Sequence, residues 1–382
     1  MSDEEYAEFY KSEFHDSSAP ARTFTVRAEG TLSYDALLFI PAHRSMNFYT
    51  NDFKKGLALY SSGVMIMDKC PDLLPDCFNF VFGVVDSQDL SLNISREILQ
   101  HNKQLRAIAR KIERKIKQEL LDYQEDDREG YEAFFSAFGQ VMKYGLYTSN
   151  GQNNELLKDL LMFYSVRDGK LVTLKEYVDA MHPDQERIFY AAGDSVDMLE
   201  KAPIVKSVVK KGYDVLLCVE DVDEFCLSAL AQYDNKTFQN VANANLDLDT
   251  EEEKKEAKDV AEQNSELLDA MKEALGDKVA RVAVSTRLID EPVCLVAEGP
   301  ISLEMERVIG QLPNNLPVTA QHVLEVNPKH AIFKALQDAQ EAGDSEKVSA
   351  FAAILYDQAR LIEGLPIEDP AEYSSLVCKF LA

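Results

Sequence analysis

Residues 80–117 read FVFGVVDSQDLSLNISREILQHNKQLRAIARKIERKIK, and this stretch decides the fold of the region around it. The apolar run 80–85 has the length of a buried strand, and the turn-like residues 86–89 end it. From about Ser95 to Tyr123 apolar residues recur with helical spacing, which predicts one long helix. A strand, a loop and a helix in this order are typical of an α/β layer domain.

The start of this helix is suited to an anion. Ser95 or Asn93 can cap it, and Arg96 and Gln100 then lie at i and i+4 on one face. Backbone N–H groups and the helix dipole favour negative charge at this end. We therefore expect Arg96 to be able to contact a terminal phosphate held by another domain.

The same helix carries a basic face within an acidic chain. Between Arg96 and Lys117 there are eight basic residues and two acidic ones, whereas the whole chain has a formal charge of -26. The pattern is compatible with a solvated helix face. A nucleic-acid groove is the alternative, but aromatic residues do not alternate with the basic ones.

Composition limits the function classes. At about 150 residues per domain, 382 residues predict two or three domains, and 46% hydrophobic residues suffice for real cores. The negative charge repels nucleic acids and anionic lipid surfaces, and the longest apolar runs are too short to span a membrane. The N-terminus lacks the features of a secretory signal, so we expect a cytoplasmic protein.

Cysteines and histidines offer no metal or disulfide pattern. The six cysteines form no CxxC pair, which predicts reduced, packed thiols. The six histidines have no HxH or HxxxH spacing, so we expect surface or loop positions and no metal site.

The remaining chain alternates strand and helix patterns and divides at an acidic run. Residues 249–263 contain seven acids and three lysines, and we place the main domain boundary beside them. The predicted first domain is an α/β/α layer domain over residues 1–245, with a larger α/β unit (1–125), a helical connector (126–165) and a smaller α/β unit (166–245). A smaller α+β domain follows over residues 250–382.

Individual elements follow from the same periodicities. We predict strands at 22–29, 34–40, 57–67, 187–192, 213–219, 279–288, 293–297 and 321–326. We predict helical segments at 130–164, 174–181, 195–211, 225–230 and 302–312, with three closing helices after residue 326.

The closing helices carry apolar stripes that predict a homodimer. On one helix the stripe contains Phe351, Ile354, Leu355 and Ile362, interrupted by Gln358. The next helix repeats the pattern with Tyr373, Leu376, Val377 and Phe380. One helix pair cannot bury both faces alone, so we expect a four-helix bundle across a twofold axis. Packing onto strands of the same chain is the alternative.

Several segments resemble the heat-shock protein 90 family in its bacterial branch. LNISREILQ (92–100), FGVVDS (82–87), EYAEFYK (5–11) and ALLFIP (36–41) are similar to its middle domain. Later stretches resemble its remaining middle and C-terminal domains, namely 188–193, 212–216, 223–224, 305–307 and 324–328. The resemblance covers essentially the whole chain in the family's order.

This resemblance implies a homodimeric, ATP-driven chaperone that acts on unfolded or partly folded client proteins. ATP with Mg would be bound mainly by an N-terminal domain that we expect before Glu5, so we expect no bound cofactor and no ATPase activity in this chain alone. At matching positions Arg96 would contact the ATP γ-phosphate, Gln100 would support it and Asn93 would order the loop. Phe39 would pack beneath this loop.

A client-binding surface is expected on the helix at 302–312. Leu303, Met305, Val308, Ile309 and Leu312 surround more than one face of this short helix, so some of them should be exposed. Leu303, Met305 and Val308 are the candidate client contacts, and core packing of all five residues is the alternative.

Two departures from the family qualify these expectations. The chain has no tryptophan, although many members carry one in the loop that corresponds to residues 15–20. It also ends in CKFLA without the acidic pentapeptide that recruits tetratricopeptide co-chaperones, which favours a bacterial protein.

Two other function classes stay open on the sequence. The chain could be the transducer and dimerisation region of a DNA-directed ATPase, of the gyrase B or mismatch-repair type, but a DNA guide needs a broad basic surface. It could also be an interaction scaffold with no nucleotide role.

Overall fold

The computed structural model describes residues 1–30, 33–50, 52–90, 103–313 and 318–381. These residues form two compact units: residues 1–162 with 173–175, and residues 163–172 with 176–382. The mixed strand and helix content confirms the predicted α/β class. Within the described residues, no helix is both long and apolar enough to cross a membrane.

The first unit is built on a five-stranded sheet with the order β1-β2-β5-β3-β4. Its strands are β1 (Arg22–Ala28), β2 (Tyr34–Ile40), β3 (Leu57–Ser61), β4 (Val64–Cys70) and β5 (Phe82–Ser87). β3 runs parallel to β5 and the other neighbours are antiparallel. The predicted strands at 22–29 and 34–40 are confirmed.

The single strand predicted at 57–67 is wrong, because this segment forms the hairpin β3–β4. Ser62 and Gly63 turn the chain with φ of 50° and 78°. Positive φ at both central residues gives the turn whose twist matches a two-residue hairpin. Ser62 and Gly63 interrupt the apolar run and are typical turn residues, so the signal for this hairpin was present in the sequence.

Helices cover the first sheet. They are α1 (Asp3–Phe14), α2 (described over Lys103–Asp126), α3 (Arg128–Thr148) and the short α4 (Asn154–Leu157). The predicted stripe of α2 is confirmed, since Ile108, Ile112 and Ile116 are fully buried. In α3 aromatic side chains pack together, with the ring centroids of Phe134 and Phe138 5.3 Å apart.

The second unit contains a six-stranded sheet with the order β10-β11-β8-β9-β6-β7. Its strands are β6 (Met162–Ser165), β7 (Lys170–Thr173), β8 (Arg187–Ala192), β9 (Leu216–Cys218), β10 (Gln232–Tyr233) and β11 (Lys236–Asn240). Its helices are α5 (Leu174–Asp179), α6 (Val196–Lys201), α7 (Pro203–Lys210) and α8 (Asp223–Leu230). The predicted strand at 187–192 is confirmed.

Two helix predictions in this region are wrong in part. Phe163 and Tyr164 belong to β6 (Met162–Ser165), so the helical segment ends before residue 162. The helix predicted at 195–211 is two helices, because Pro203 lacks the backbone N–H that a continuing helix needs and instead begins α7.

The second unit also holds a three-stranded sheet with the order β12-β14-β13. Its strands are β12 (Arg281–Val284), β13 (Val293–Glu298) and β14 (Gln321–Val326). The helices of this part are α9 (Glu251–Gln263), α10 (Ser265–Leu275), α11 (Leu303–Gly310), α12 (Ala331–Glu341), α13 (Ser345–Ile362) and α14 (Pro370–Leu381). Their core includes Met271, Leu324 and Leu336.

The acidic run folds as helix α9. Thr250 and Glu253 form a reciprocal capping box at its start. One apolar cluster joins Val205 and Val215 with Leu288 and Val296, which lie on the other side of residues 245–250. The residues on both sides therefore share a compact unit, and the division at 245–250 stays a prediction.

Burial corrects two predictions about reactive side chains. Five cysteines are buried as expected, but Cys378 on α14 is exposed. His322 is buried on β14 rather than placed at the surface or in a loop. Glu306, on helix α11, pairs with the imidazole and makes this burial possible.

Candidate functional site

The predicted phosphate-contacting residues Asn93, Arg96 and Gln100 lie outside the described residues. The chain is anchored immediately before them, because the Ser61 hydroxyl donates to the carbonyl of Leu90 at 2.6 Å. After them, Leu105 is buried on α2.

Phe39 is fully buried on β2. Its ring packs against Tyr10 and Phe14 of α1 at centroid distances of 5.2 and 5.8 Å. α1 therefore covers this part of the sheet. The predicted contact of Phe39 with the loop of Arg96 falls outside the described residues.

The basic face of α2 is partly used inside the first unit. Lys117 donates to Asp159 at 2.8 Å and to the carbonyl of Glu155 at 2.7 Å. Arg110 and Arg114 are exposed. Lys117 therefore has a structural role on this face, whereas the two arginines are solvated.

The candidate client helix α11 places its apolar side chains at different depths. Leu303 is buried in the core, whereas Met305, Val308 and Ile309 are partly exposed. Leu312, just after the helix, is 51% exposed. A partly exposed apolar surface is available, and Leu303 contributes little to it.

Three sets of polar contacts attach α11 to neighbouring elements and act as its anchors. The first anchor is at the N-terminus of the helix. The Ser302 hydroxyl caps the helix by accepting from the Met305 N–H at 3.0 Å, and it donates to Glu224 on α8. Glu224 also accepts from the Tyr190 hydroxyl at 2.9 Å and from Asn240 at 2.7 Å. Burial raises the pKa of this carboxyl despite these bonds.

The second anchor is Arg307. Its guanidinium lies 3.1 Å from Asp194 and 3.1 Å from Asp221, and it also pairs with Glu304 on the same helix. The hydrogen bond to Glu304 is the main reason why the pKa of Arg307 is raised. One cation therefore connects α11 to the loops after β8 and β9.

The third anchor is Glu306. Its Oε2 lies 2.8 Å from Nε2 of His322 and accepts from the Ala320 N–H at 2.8 Å. Burial raises the pKa of Glu306, but these hydrogen bonds outweigh burial and the pKa is lowered overall. α11 is thereby attached to β14.

A cavity of about 320 Å³ lies beside this helix. Tyr190, Glu224, Asn240 and Met305 contribute to its lining. The mixture of polar groups and a flexible thioether can receive varied side chains. Among the described residues, no three His, Cys, Asp or Glu side chains gather as a metal site.

The predicted dimer residues divide between the core and the surface. Leu355 is 3% exposed and packs in the chain's own core, and Ile354 is also buried. The rings of Phe351 and Phe380 stack at 4.7 Å, which joins α13 to α14. Ile362 and Leu376 keep part of their surfaces exposed. A partner could therefore contact Ile362, Leu376 and Phe380, but hardly Leu355.

Sequence reasoning missed the three anchors as site residues. Glu224, Glu306 and Arg307 do lie within the motifs that resemble the heat-shock protein 90 family. The sequence therefore contained a signal for one residue of each anchor. His322 gave none, because an isolated histidine in a strand pattern does not reveal a buried partner.

Comparison with known proteins gives one consistent result. The family model described as "Hsp90 protein" matches residues 1–382. Similar proteins are the chaperone protein HtpG of Oceanobacillus iheyensis (48% identity), of Bacillus subtilis (46%) and of Clostridium acetobutylicum (49%), each over 381 residues and 100% of this chain. The chain spans 61% of the length of each of these relatives. These matches support the chaperone interpretation and not the DNA-directed ATPase alternative.

Proposed function

The chain belongs to the Hsp90 family, and from this premise we propose that it is part of an ATP-dependent molecular chaperone. In this proposal it supplies client binding, dimerisation and the arginine that contacts the ATP γ-phosphate. The family match over the whole chain is the observation that carries the proposal.

Client binding is assigned to α11 and the adjoining cavity. Partly exposed Met305 and Val308 provide a surface for unfolded or partly folded proteins, since methionine adapts to varied apolar partners. The anchors through Glu224, Arg307 and Glu306 hold this surface in place without burying it.

The nucleotide role is assigned to Arg96, with Gln100 and Asn93 supporting it. ATP and Mg are held by a part of the protein outside these 382 residues, and Arg96 reaches the γ-phosphate from this chain. An arginine stabilises the charge that spreads over the phosphoryl oxygens during transfer.

Dimerisation is assigned to α13 and α14, and the protein is placed in the cytoplasm of a bacterium. The partly exposed Ile362 and Leu376, together with the exposed Phe380, support this assignment. Tetratricopeptide co-chaperones, nucleic acids and membranes are not part of the proposal.

Aggregation suppression tests the client surface. Met305→Asp should weaken the suppression of aggregation of a thermally unfolded client, because it places a charge on the apolar surface. Met46→Asp is the matched control, since Met46 is fully exposed in the first unit. Circular dichroism should show that both variants are folded. Equal suppression of aggregation by the parent and by Met305→Asp would show that α11 is not part of the client site.

A further inference from the structure

Helix α11 depends on polar contacts for its position. It is eight residues long, and Leu303 is its buried side chain. A single buried leucine holds a helix less firmly than a full apolar stripe. The contact of Glu306 with His322 is the one that ties the middle of this helix to the sheet behind it.

His322 is itself held rigidly. β14 is the central strand of its sheet, where His322 lies opposite Ala297 of β13 and its carbonyl accepts from the Ala280 N–H at 2.7 Å. The imidazole is 4% exposed. The donor that meets Glu306 is therefore fixed by the backbone of the sheet.

The second ring nitrogen of the imidazole, Nδ1, lies near a hydroxyl group that can either donate or accept a hydrogen bond. Nδ1 of His322 lies 3.4 Å from the Tyr356 oxygen, and this oxygen also lies 3.4 Å from the carbonyl of Lys278. Arg360 donates to the same oxygen at 3.0 Å. Tyr356 can donate to a neutral Nδ1, or accept from a protonated one while it donates to Lys278.

We propose that His322 is the positioning residue of α11, holding Glu306 in either protonation state of the imidazole. Neutral imidazole with its proton on Nε2 donates a hydrogen bond to the carboxylate, and imidazolium adds an ion pair to that bond.

The charges around this pair are few. Glu306 faces the imidazole from α11, and Tyr356 and Arg360 face it from α13. Arg360 is balanced by Glu368 at 3.5 Å, which also pairs with Lys278 at 3.1 Å. Asp357 adds a further carboxyl near Lys278 and Arg360. The nearest opposite charge to a protonated His322 is Glu306.

The consequence for clients rests on the function proposed above. If α11 carries the client surface, loosening it should weaken client binding, because binding would then have to order the helix again. The position of α11 can be measured without any client, which separates the two proposals.

Hydrogen–deuterium exchange of the α11 amides in the 382-residue chain tests the positioning role. His322→Phe keeps a ring but removes the donor, so exchange in α11 should accelerate about tenfold, as expected for the loss of a charge-assisted hydrogen bond. His322→Gln keeps a neutral donor and should stay close to the parent. His182→Gln is the control, because His182 is exposed.

Two results would overturn the inference: parent-like exchange of α11 in His322→Phe, or acceleration spread equally over the second unit. Faster exchange confined to α11 with unchanged aggregation suppression would support the positioning role and count against the client role of the helix.

Discussion

Nε of Arg287 lies 3.2 Å from Oε2 of Glu325, and both side chains are less than a tenth exposed. The same guanidinium donates to the carbonyls of Val241, Asn243 and Ala244. Arg287 therefore binds the segment that follows β11 to the central strand β14. Four of the five N–H groups of this buried cation therefore have an acceptor, and such pairing is the condition under which a buried ion pair is tolerated.

Arg287→Ala should destabilise the second unit by about 3–5 kcal/mol, because it removes the cation that pairs with a buried carboxylate and donates to three carbonyls. Urea unfolding followed by circular dichroism measures this. Adding Glu325→Gln should recover only part of the loss, since the three carbonyls still lack the hydrogen bonds from the guanidinium. Arg281→Ala is the control: its pair with Glu298 is exposed, so it should cost less than about 1 kcal/mol. A similar cost for the two alanine variants would contradict this account.

Glu363 gives a prediction on pH. One of its carboxyl oxygens is enclosed and has no hydrogen-bond partner, and burial raises the pKa to about 8 from an ordinary 4.5. Between these values the unfolded chain releases the proton that the folded chain keeps, so stability falls as pH rises, by at most about 1.4 kcal/mol per pH unit.

Glu363→Gln should remove this slope and stabilise the chain above pH 5. Denaturant midpoints measured from pH 5 to 8 test it, with Glu252→Gln on exposed α9 as the control that retains the slope. Parallel profiles for the parent and Glu363→Gln would show that the carboxyl is already ionised in the folded chain.

Removal of α14 alone tests the dimer prediction better than removal of both α13 and α14. Val348, Ala352 and Leu355 of α13 belong to the core, so a chain stopped before Ser345 would lose core side chains. The side chains of α14 that the structure describes are at most partly buried. A chain ending at Asp369 should stay folded and become monomeric by light scattering.

A point variant tests the same interface in the full chain. Leu376→Asp should also give monomers, because a charge opposes apolar burial across the twofold axis. Val64→Asp, at an exposed apolar residue of β4, should leave the dimer unchanged. If Leu376→Asp is still dimeric, the interface lies elsewhere.

Arg96 should matter only in the full-length protein. Arg96→Ala should lower ATP turnover with little change in ATP affinity, by less than the 10³–10⁵-fold known for GTPases, because the family resemblance implies that conformational closure also limits the rate. Gln100→Ala should have a milder effect. Arg110→Ala, on the exposed face of α2, is the control. The 382-residue chain alone should show no ATP hydrolysis. If the full-length Arg96→Ala variant turned over ATP at the parental rate, Arg96 would not contact the phosphate and would be a solvated residue.

The amino-acid sequence by itself determined the elements whose pattern is local. β2, β8 and β14 follow from β-branched and apolar runs, and the stripe of Ile108, Ile112 and Ile116 follows from the helical period. The sequence also carried the family resemblance, with Arg96 and Gln100 as site candidates.

Only the tertiary structure decided which polar residues meet. The pairs Glu306–His322, Glu224–Ser302 and Arg287–Glu325 join residues 16, 78 and 38 positions apart. The same long-range packing put Leu355 in the core and left Cys378 exposed. Periodicity shows which face of one element is apolar. The partner of a polar side chain lies on another element, which is distant in sequence and becomes a neighbour only when the chain folds. A buried polar group is stable only beside such a partner, so its role becomes visible once the two elements are packed together.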